Sequence, residues 1–401
     1  MKALYQAWDT AFSRFFCPET ELFYEFIPEG EPSAWSHVPS VDDIRKNVPN
    51  PCGWGTGMED STLNGGSALD AVICAYEITK DPKLKPIADK LFRGLLRCAM
   101  PHGFIARSVS PTDGKSHYAE SSRDQYTHWV FGALRLYDSP LCDTKQKEEI
   151  KRVLTEIAVR CEGNTDENGD CFLRREDGSV GKVGKLWGAV SVHEWFRLPM
   201  FYLAAYHVTK NPHWKALYLR YRDEAFSKSL APIPEHYKCY AILQMQYSLR
   251  AAYDCEEDPI FKGKLLARIQ TLAEIGEQKS LASAEKFRSG AFWDTLYYPF
   301  RRWDRIEPLC REVFNGYRYE NPAQSERKEN AAFYPVRAVG EGACIAALCP
   351  GYPISDEIFD ALLFLANAFN FSQYSNVYAL LLLPCGYVTC LKTRREQASD
   401  A

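Results

Sequence analysis

The sequence has no long hydrophobic run, no CxxC pair and no strong excess of charge, and each absence removes a class of function. The apolar stretch "YALLLLP" (378–384) is far too short to span a bilayer, so no membrane partner is expected. A net charge of −4 supplies no basic field for nucleic acid. The fourteen cysteines lack paired spacing, and many occupy apolar helix positions, such as Cys74, Cys98, Cys239 and Cys344. They read as buried free thiols of a reducing compartment, which predicts a cytoplasmic location. The N-terminal "MKALYQAWDTAFSRFF" carries Asp9 inside its apolar pattern and has no small-residue cleavage site. It reads as an amphipathic helix, not a signal peptide.

Familiar site motifs are missing too. "HEWFR" (193–197) places Arg197 where a zinc-binding helix needs its second His. "DENGDCFLRRED" (166–177) has Cys171 where a calcium loop needs Gly. "GSVGKVGK" has the wrong spacing for a phosphate loop, and "GWGTG" follows no strand. No GxSxG elbow occurs. Neither a metal nor a cofactor is expected.

Helix punctuation is abundant. "AYEITKDPKLK" (75–85), "AYHVTKNPHWK" (205–215) and "AYDCEEDPIFK" (252–262) share one pattern, and "RLYDSPLCDTKQK" (135–147) is a looser copy. In each of the first three, a helix ends after Ala-Tyr, Asp or Asn caps the next one, and Pro takes its first turn, where a missing N–H costs nothing. Apolar periodicity predicts helices near 2–16, 61–79, 83–99, 123–137, 144–161, 192–208, 212–228, 236–254, 259–277, 332–348, 355–368 and 374–383. Extended pieces are few: a hairpin over 164–182 turning at Asn168-Gly169, and a short stretch near 103–109. The twelve helices form six hairpins, with short turns inside each and long loops between them. That alternation predicts an all-α chain, an (α/α)6 toroid with small β-hairpin insertions, as a single domain over 1–401. An open solenoid is the alternative, although its repeats are usually more uniform.

In a toroid the inner-helix N-termini converge on one face. "GWGTGMEDSTLNGG" (53–66) brings Trp54, Glu59 and Asp60 to the first. The second start has His117, Tyr118, Arg123, Asp124 and Gln125, with Ser121 or Ser122 available as its cap. The third has Trp187, His193, Glu194 and Trp195; the fourth has Glu235, His236 and Tyr237. Tyr334, Arg337 and Glu341 stand at the fifth, and Gln373, Tyr374 and Asn376 at the last. Carboxylates at helix starts are often only caps. A cap, however, needs no Trp, Tyr or His beside it. Two carboxylates facing a cavity ringed by aromatics suit glycosidic bond chemistry, in which one protonates the leaving oxygen and the other activates water or stabilises the sugar cation.

On these hairpins and aromatic-acidic starts, the chain resembles the six-hairpin glycosidase superfamily, which includes the unsaturated glucuronyl and rhamnogalacturonyl hydrolases. The resemblance implies a glycoside hydrolase acting on a uronate-containing oligosaccharide. Asp60 and Asp124 match the placement of the family's working aspartates, and an Arg-Gly-Asn-Gly-Trp-like stretch is absent. The expected catalytic residues are Asp124 with Asp60 or Glu194. The expected substrate contacts are Trp54, Glu59, His117, Tyr118, Arg123, Gln125, Trp187, His193, Trp195, Glu235, His236, Tyr237, Arg337 and Tyr374. A uronate carboxylate calls for arginine, from Arg107, Arg123, Arg197, Arg337 or the "FRRWDR" cluster. The aromatic segment 278–331 suits either a lid or a surface excursion glued down by Trp293, Tyr297 and Trp303. Three other readings stay open: a sugar epimerase using His193 and His236, a polysaccharide lyase, and a non-catalytic helical-repeat binder.

Overall fold

The computed structural model describes residues 1–300, 302–305, 312–313, 318–319 and 331–400. In chain order its helices are α1 (Lys2–Arg14), α2 (Val41–Arg45), α3 (Ser61–Thr79), α4 (Leu84–Cys98), α5 (Arg123–Tyr137), α6 (Thr144–Gly163) and α7 (Arg197–Thr209). There follow α8 (Pro212–Ser229), α9 (Cys239–Cys255), α10 (Pro259–Arg288), α11 (Phe333–Ala347), α12 (Asp356–Ala368) and α13 (Val377–Asp400). Short antiparallel strands pair Phe16–Cys17 with Leu22–Phe23 and Ala99–Met100 with Phe104–Ile105. A third pair joins Glu312–Val313 to Arg318–Tyr319.

Two of the three matched hairpin turns form as their residues dictate; in the first, Asp81 accepts from the Lys83 N–H at 2.9 Å, but α4 starts only at Leu84, with Pro82 in the turn before it. Asn211 accepts a hydrogen bond from the His213 N–H, and Asp258 accepts from those of Ile260 and Phe261, each beside a first-turn proline. Lys80 and Lys210 end α3 and α7 with φ of 55°. In the looser copy, Asp143 and Gln146 build a reciprocal capping box at the start of α6.

Six helices form the inner layer. Helix α3 packs on α5, α5 on α7 and α9, α7 on α9, α9 on α11, α11 on α13, and α13 returns to α3. The last contact closes the ring and rules out the open solenoid. The outer layer is α1, α4, α6, α8, α10 and α12. Inner α3 is buried continuously from Ser61 to Cys74, whereas outer α4 buries one stripe (Ala88, Leu91, Phe92, Leu95 and Cys98). Two glycines let α3 and α5 cross closely. A Cβ on Gly66 would stand 2.4 Å from the His128 carbonyl oxygen, and one on Gly132 would stand 3.1 Å from the Gly66 Cα.

Several helix ends differ from the sequence expectation. Helix α10 runs on past 277 to Arg288, because Ser280, Ala284 and Phe287 keep its face buried. Helix α13 begins at Val377 and continues through Pro384. An internal proline costs about 3 kcal/mol. Here the following turns stay anchored: Cys390 Sγ donates to the Ala343 carbonyl at 3.4 Å, and Thr393 Oγ1 to that of Ala347 at 2.7 Å. Helix α7 starts at Arg197, so residues 192–196 are turns. The 164–182 segment makes only isolated bridges, Thr165 with Cys171 and Phe172 with Lys185.

The thirteen described cysteines are all free, and all but Cys142 are buried. No described helix is long and apolar enough to cross a membrane.

Candidate active site

The loop before α3 is pinned from within. The Asn50 side chain accepts from the Cys52 and Trp54 N–H groups and donates to the Trp54 carbonyl. Gly53 has φ +68°, and its missing Cβ leaves room for the Tyr118 ring, whose Cδ2 would otherwise lie 2.4 Å away. Glu59 turns inward, where Oε1 accepts from the Gly55 N–H at 2.5 Å. Arg107 and Lys182 lie 5.8 and 5.5 Å from the Trp54 ring centre.

Asp60 occupies the N-cap position of α3, yet its side chain makes no capping bond. Oδ1 accepts from Gln125 Nε2 at 2.8 Å, and Arg107 Nη1 stands 3.7 Å from it. Oδ2 accepts from the Tyr378 hydroxyl.

Asp124 lies in the first turn of α5. Neither Ser121 nor Ser122 caps that helix: both hydroxyls are buried without a hydrogen-bond partner among the described residues. Arg197, fully buried, donates from Nη1 to Asp124 Oδ1 at 3.3 Å and from Nη2 to Gln244 Oε1 at 2.5 Å. Burial alone would raise the Asp124 carboxyl, but Arg197, Arg123 and Arg107 outweigh it and hold the group below its ordinary range. Glu194 is taken up by structure. It pairs with Arg123 Nη2 at 2.7 Å and accepts from the Ser191 N–H at 2.8 Å. Beside it, burial pushes His193 down to about 3, so the ring is neutral.

Across the ring, Arg337 forks onto Glu341 Oε1 through Nε and Nη2, at 3.0 and 2.8 Å. Its guanidinium lies 3.7 Å from the Tyr378 ring centre. Burial opposes its charge, but Glu341, Tyr378 and Asp60 outweigh burial and raise it. Arg337 Nη1 and Arg107 Nη2 make no hydrogen bond among the described residues.

Trp54, Glu59, Asp60, Arg107, Asp124, Glu194 and Arg337 face one cavity of about 780 Å³, walled by Val183 and residues 189–191 and flanked by Tyr240 and Tyr334. That volume suits a small oligosaccharide or a chain end. Among the described residues, no group of three or more His, Cys, Asp or Glu could hold a metal ion.

Of the residues expected at the site, Trp54, Glu59, Asp60, Arg107, Arg123, Asp124, His193, Glu194, Tyr334 and Arg337 line the cavity. The others do not. Gln125 is buried and holds Asp60, the Glu59 carbonyl and the Leu63 N–H. Tyr118 is buried under the first loop, its hydroxyl donating to the Val48 carbonyl. His117 turns to Glu176 at 2.9 Å. Trp187 packs edge-on against Trp195 and Tyr221, and Tyr374 against Phe369. Glu235 and His236 are exposed, and Tyr237 sits edge-on to His193 from outside the cavity. Gln125 misses the cavity by helical rotation, since successive helix residues point about 100° apart, whereas the others lie in the loops before the helix starts, where no helical periodicity sets their direction.

Tyr240 and Gln244 of α9 line the cavity without having been anticipated. Their i, i+4 spacing on one helix face was the available signal. Most of the 306–330 portion of the proposed lid lies outside the described residues, as do Arg301 and the Arg305 side chain. Trp293 Nε1 donates to the Phe287 carbonyl, Tyr297 Oη accepts from the Asn370 N–H, and Trp303 Nε1 donates to the His37 carbonyl, each at 2.8 Å. These bonds tie the described part of the segment to α10 and to the loops at His37 and Asn370. Arg302 pairs with Glu31 at 2.5 Å.

No family model matches the sequence, and no curated protein does. Solved structures similar to the chain include the GH76A alpha-1,6-mannanase from Salegentibacter sp. HEL1_6, at 13% identity and TM-score 0.38, over 69% of this chain and 88% of that one. An inactive double-aspartate variant of that enzyme in complex with alpha-1,6-mannotriose matches at 13% identity and TM-score 0.38, over 68% of this chain and 86% of that one.

Proposed function

We propose that this chain is a glycoside hydrolase acting on a uronate-containing oligosaccharide. The observation that supports this most is the delivery of Asp60 and Asp124, from the starts of adjacent inner helices, to one aromatic-flanked cavity of about 780 Å³. Asp124 is the carboxylate of the pair, because three arginines favour its charged form. It activates water or stabilises the sugar cation. Glu194 is committed to Arg123, so Asp60 is left to protonate the leaving oxygen. Trp54, Tyr240 and Tyr334 put aromatic surface along the cavity, which suits contact with sugar C–H groups. The uncommitted N–H groups of Arg337 and Arg107 suit a substrate carboxylate.

The test is incubation with saturated uronate, unsaturated uronate and neutral oligosaccharides, read by mass and by absorbance. Release of a sugar from uronate substrates, abolished in Asp124→Asn, is expected. Turnover confined to neutral substrates would overturn the uronate assignment. No turnover of any glycoside would overturn the hydrolase reading.

A further inference from the structure

The sequence leaves Tyr378 inside an apolar helix run, where it reads as core packing. The structure gives it a polar task. Its ring is fully buried, and its hydroxyl donates to Asp60 Oδ2 across the seam where α13 meets α3. Gln125 Nε2, from α5, takes the other oxygen at 2.8 Å. Asp60 is therefore held between donors from the helices on either side of its own. Both donors are themselves fixed. Gln125 Oε1 accepts from the Leu63 N–H at 3.0 Å, and the Arg337 guanidinium lies 3.7 Å from the Tyr378 ring centre, tied in turn to Glu341.

We propose that Tyr378 and Gln125 are positioning residues that clamp Asp60 out of its capping role and stabilise the carboxylate it becomes when it gives up a proton. This rests on the reading that Asp60 protonates the leaving oxygen. The physical argument is differential stabilisation. Two preset donors aimed at a carboxylate favour the charge that grows on Asp60 in the transition state more than the neutral acid of the ground state. Neither donor lines the cavity, so neither contributes to substrate binding. A packing role alone would need no hydroxyl on Tyr378 and no amide on Gln125. It would also leave Asp60 free to cap α3, which it does not do.

The experiment uses the full chain with Tyr378→Phe, which keeps the ring under Arg337 and removes only the donor. With wild type active on uronate oligosaccharides, kcat is expected to fall about tenfold to a hundredfold while KM stays within about twofold. In ¹³C spectra of aspartate-labelled protein, the Asp60 carboxyl resonance, identified by its loss in Asp60→Asn, is expected to move while that of Asp124 stays. Unchanged kcat, or an Asp60 resonance that does not move, overturns the clamp. Should Tyr378→Phe fail to fold, Gln125→Glu replaces the second donor with a carboxylate at equal size, and the same two readouts apply. Should wild type turn over no glycoside, the hydrolase reading fails, and the Asp60 resonance alone decides whether the clamp exists.

Discussion

Arg197 meets Asp124 at 3.3 Å from a fully buried position behind the cavity, and it is the strongest of the three cations that hold this carboxyl ionised. Removing it in Arg197→Met leaves Asp124 with burial as its main influence, so the acid limb of kcat/KM should move to higher pH. Stability follows the same pairing. The Asp124 carboxyl lies below its unfolded value of about 3.9. The pairing therefore stabilises fully above that value and is lost as pH falls through the lower, folded one. Cavity water reaches Asp124, so the loss at neutral pH should be about 2 kcal/mol, below that of a fully buried pair. Melting curves of the two proteins should converge on acidification below about pH 4. A gap that is independent of pH would dismiss the pairing as its source.

The fold should survive neutralising either aspartate, although Asp124→Asn gives up the pairing with Arg197 and its share of stability. Asp60→Asn and Asp124→Asn are each expected to lower kcat by about 10²- to 10⁴-fold. Both should keep wild-type circular dichroism, since the amides retain the shape of the acids. The double variant should be little worse than the worse single one, because the pair acts as a unit.

Arg337→Lys keeps a positive charge and loses the planar fork. KM for uronate substrates should rise about tenfold, with little change for neutral ones. Equal losses on both classes would indicate damage to the Glu341 and Tyr378 contacts and not to carboxylate recognition.

Gly53→Ala tests the first loop. The added methyl meets the Tyr118 ring, and φ of +68° is strained for alanine. A loss of about 1–3 kcal/mol in chemical denaturation is expected, with a raised KM as Trp54 shifts.

How far the sequence could be read depended on the kind of signal. The hairpin turns were legible because Asn211 and Asp258 cap locally and a proline marks the first turn. The start of α3 was legible because a glycine-rich loop with Trp54 and Asp60 exceeds what a connector needs. Gln125 was assigned to substrate because it adjoins Asp124, but one residue of helical rotation turns it toward Asp60 instead. Tyr378 gave no signal, since "VYALLLL" reads as uniform core and its polar partner lies at the other end of the chain. Pro384 looked like a helix end, and only tertiary anchoring of the next turns carries α13 past it.

The seam between α13 and α3 also orders events in time. Asp60 and its partner Tyr378 are 318 positions apart. During synthesis the Asp60 side of that pair waits until 318 further residues have been made. Asp124, Arg197, Arg107 and Arg337 all emerge before Tyr378 does. A chain that stops short of Tyr378 cannot hold Asp60 from both sides, and the candidate site is complete only when α13 docks against α3.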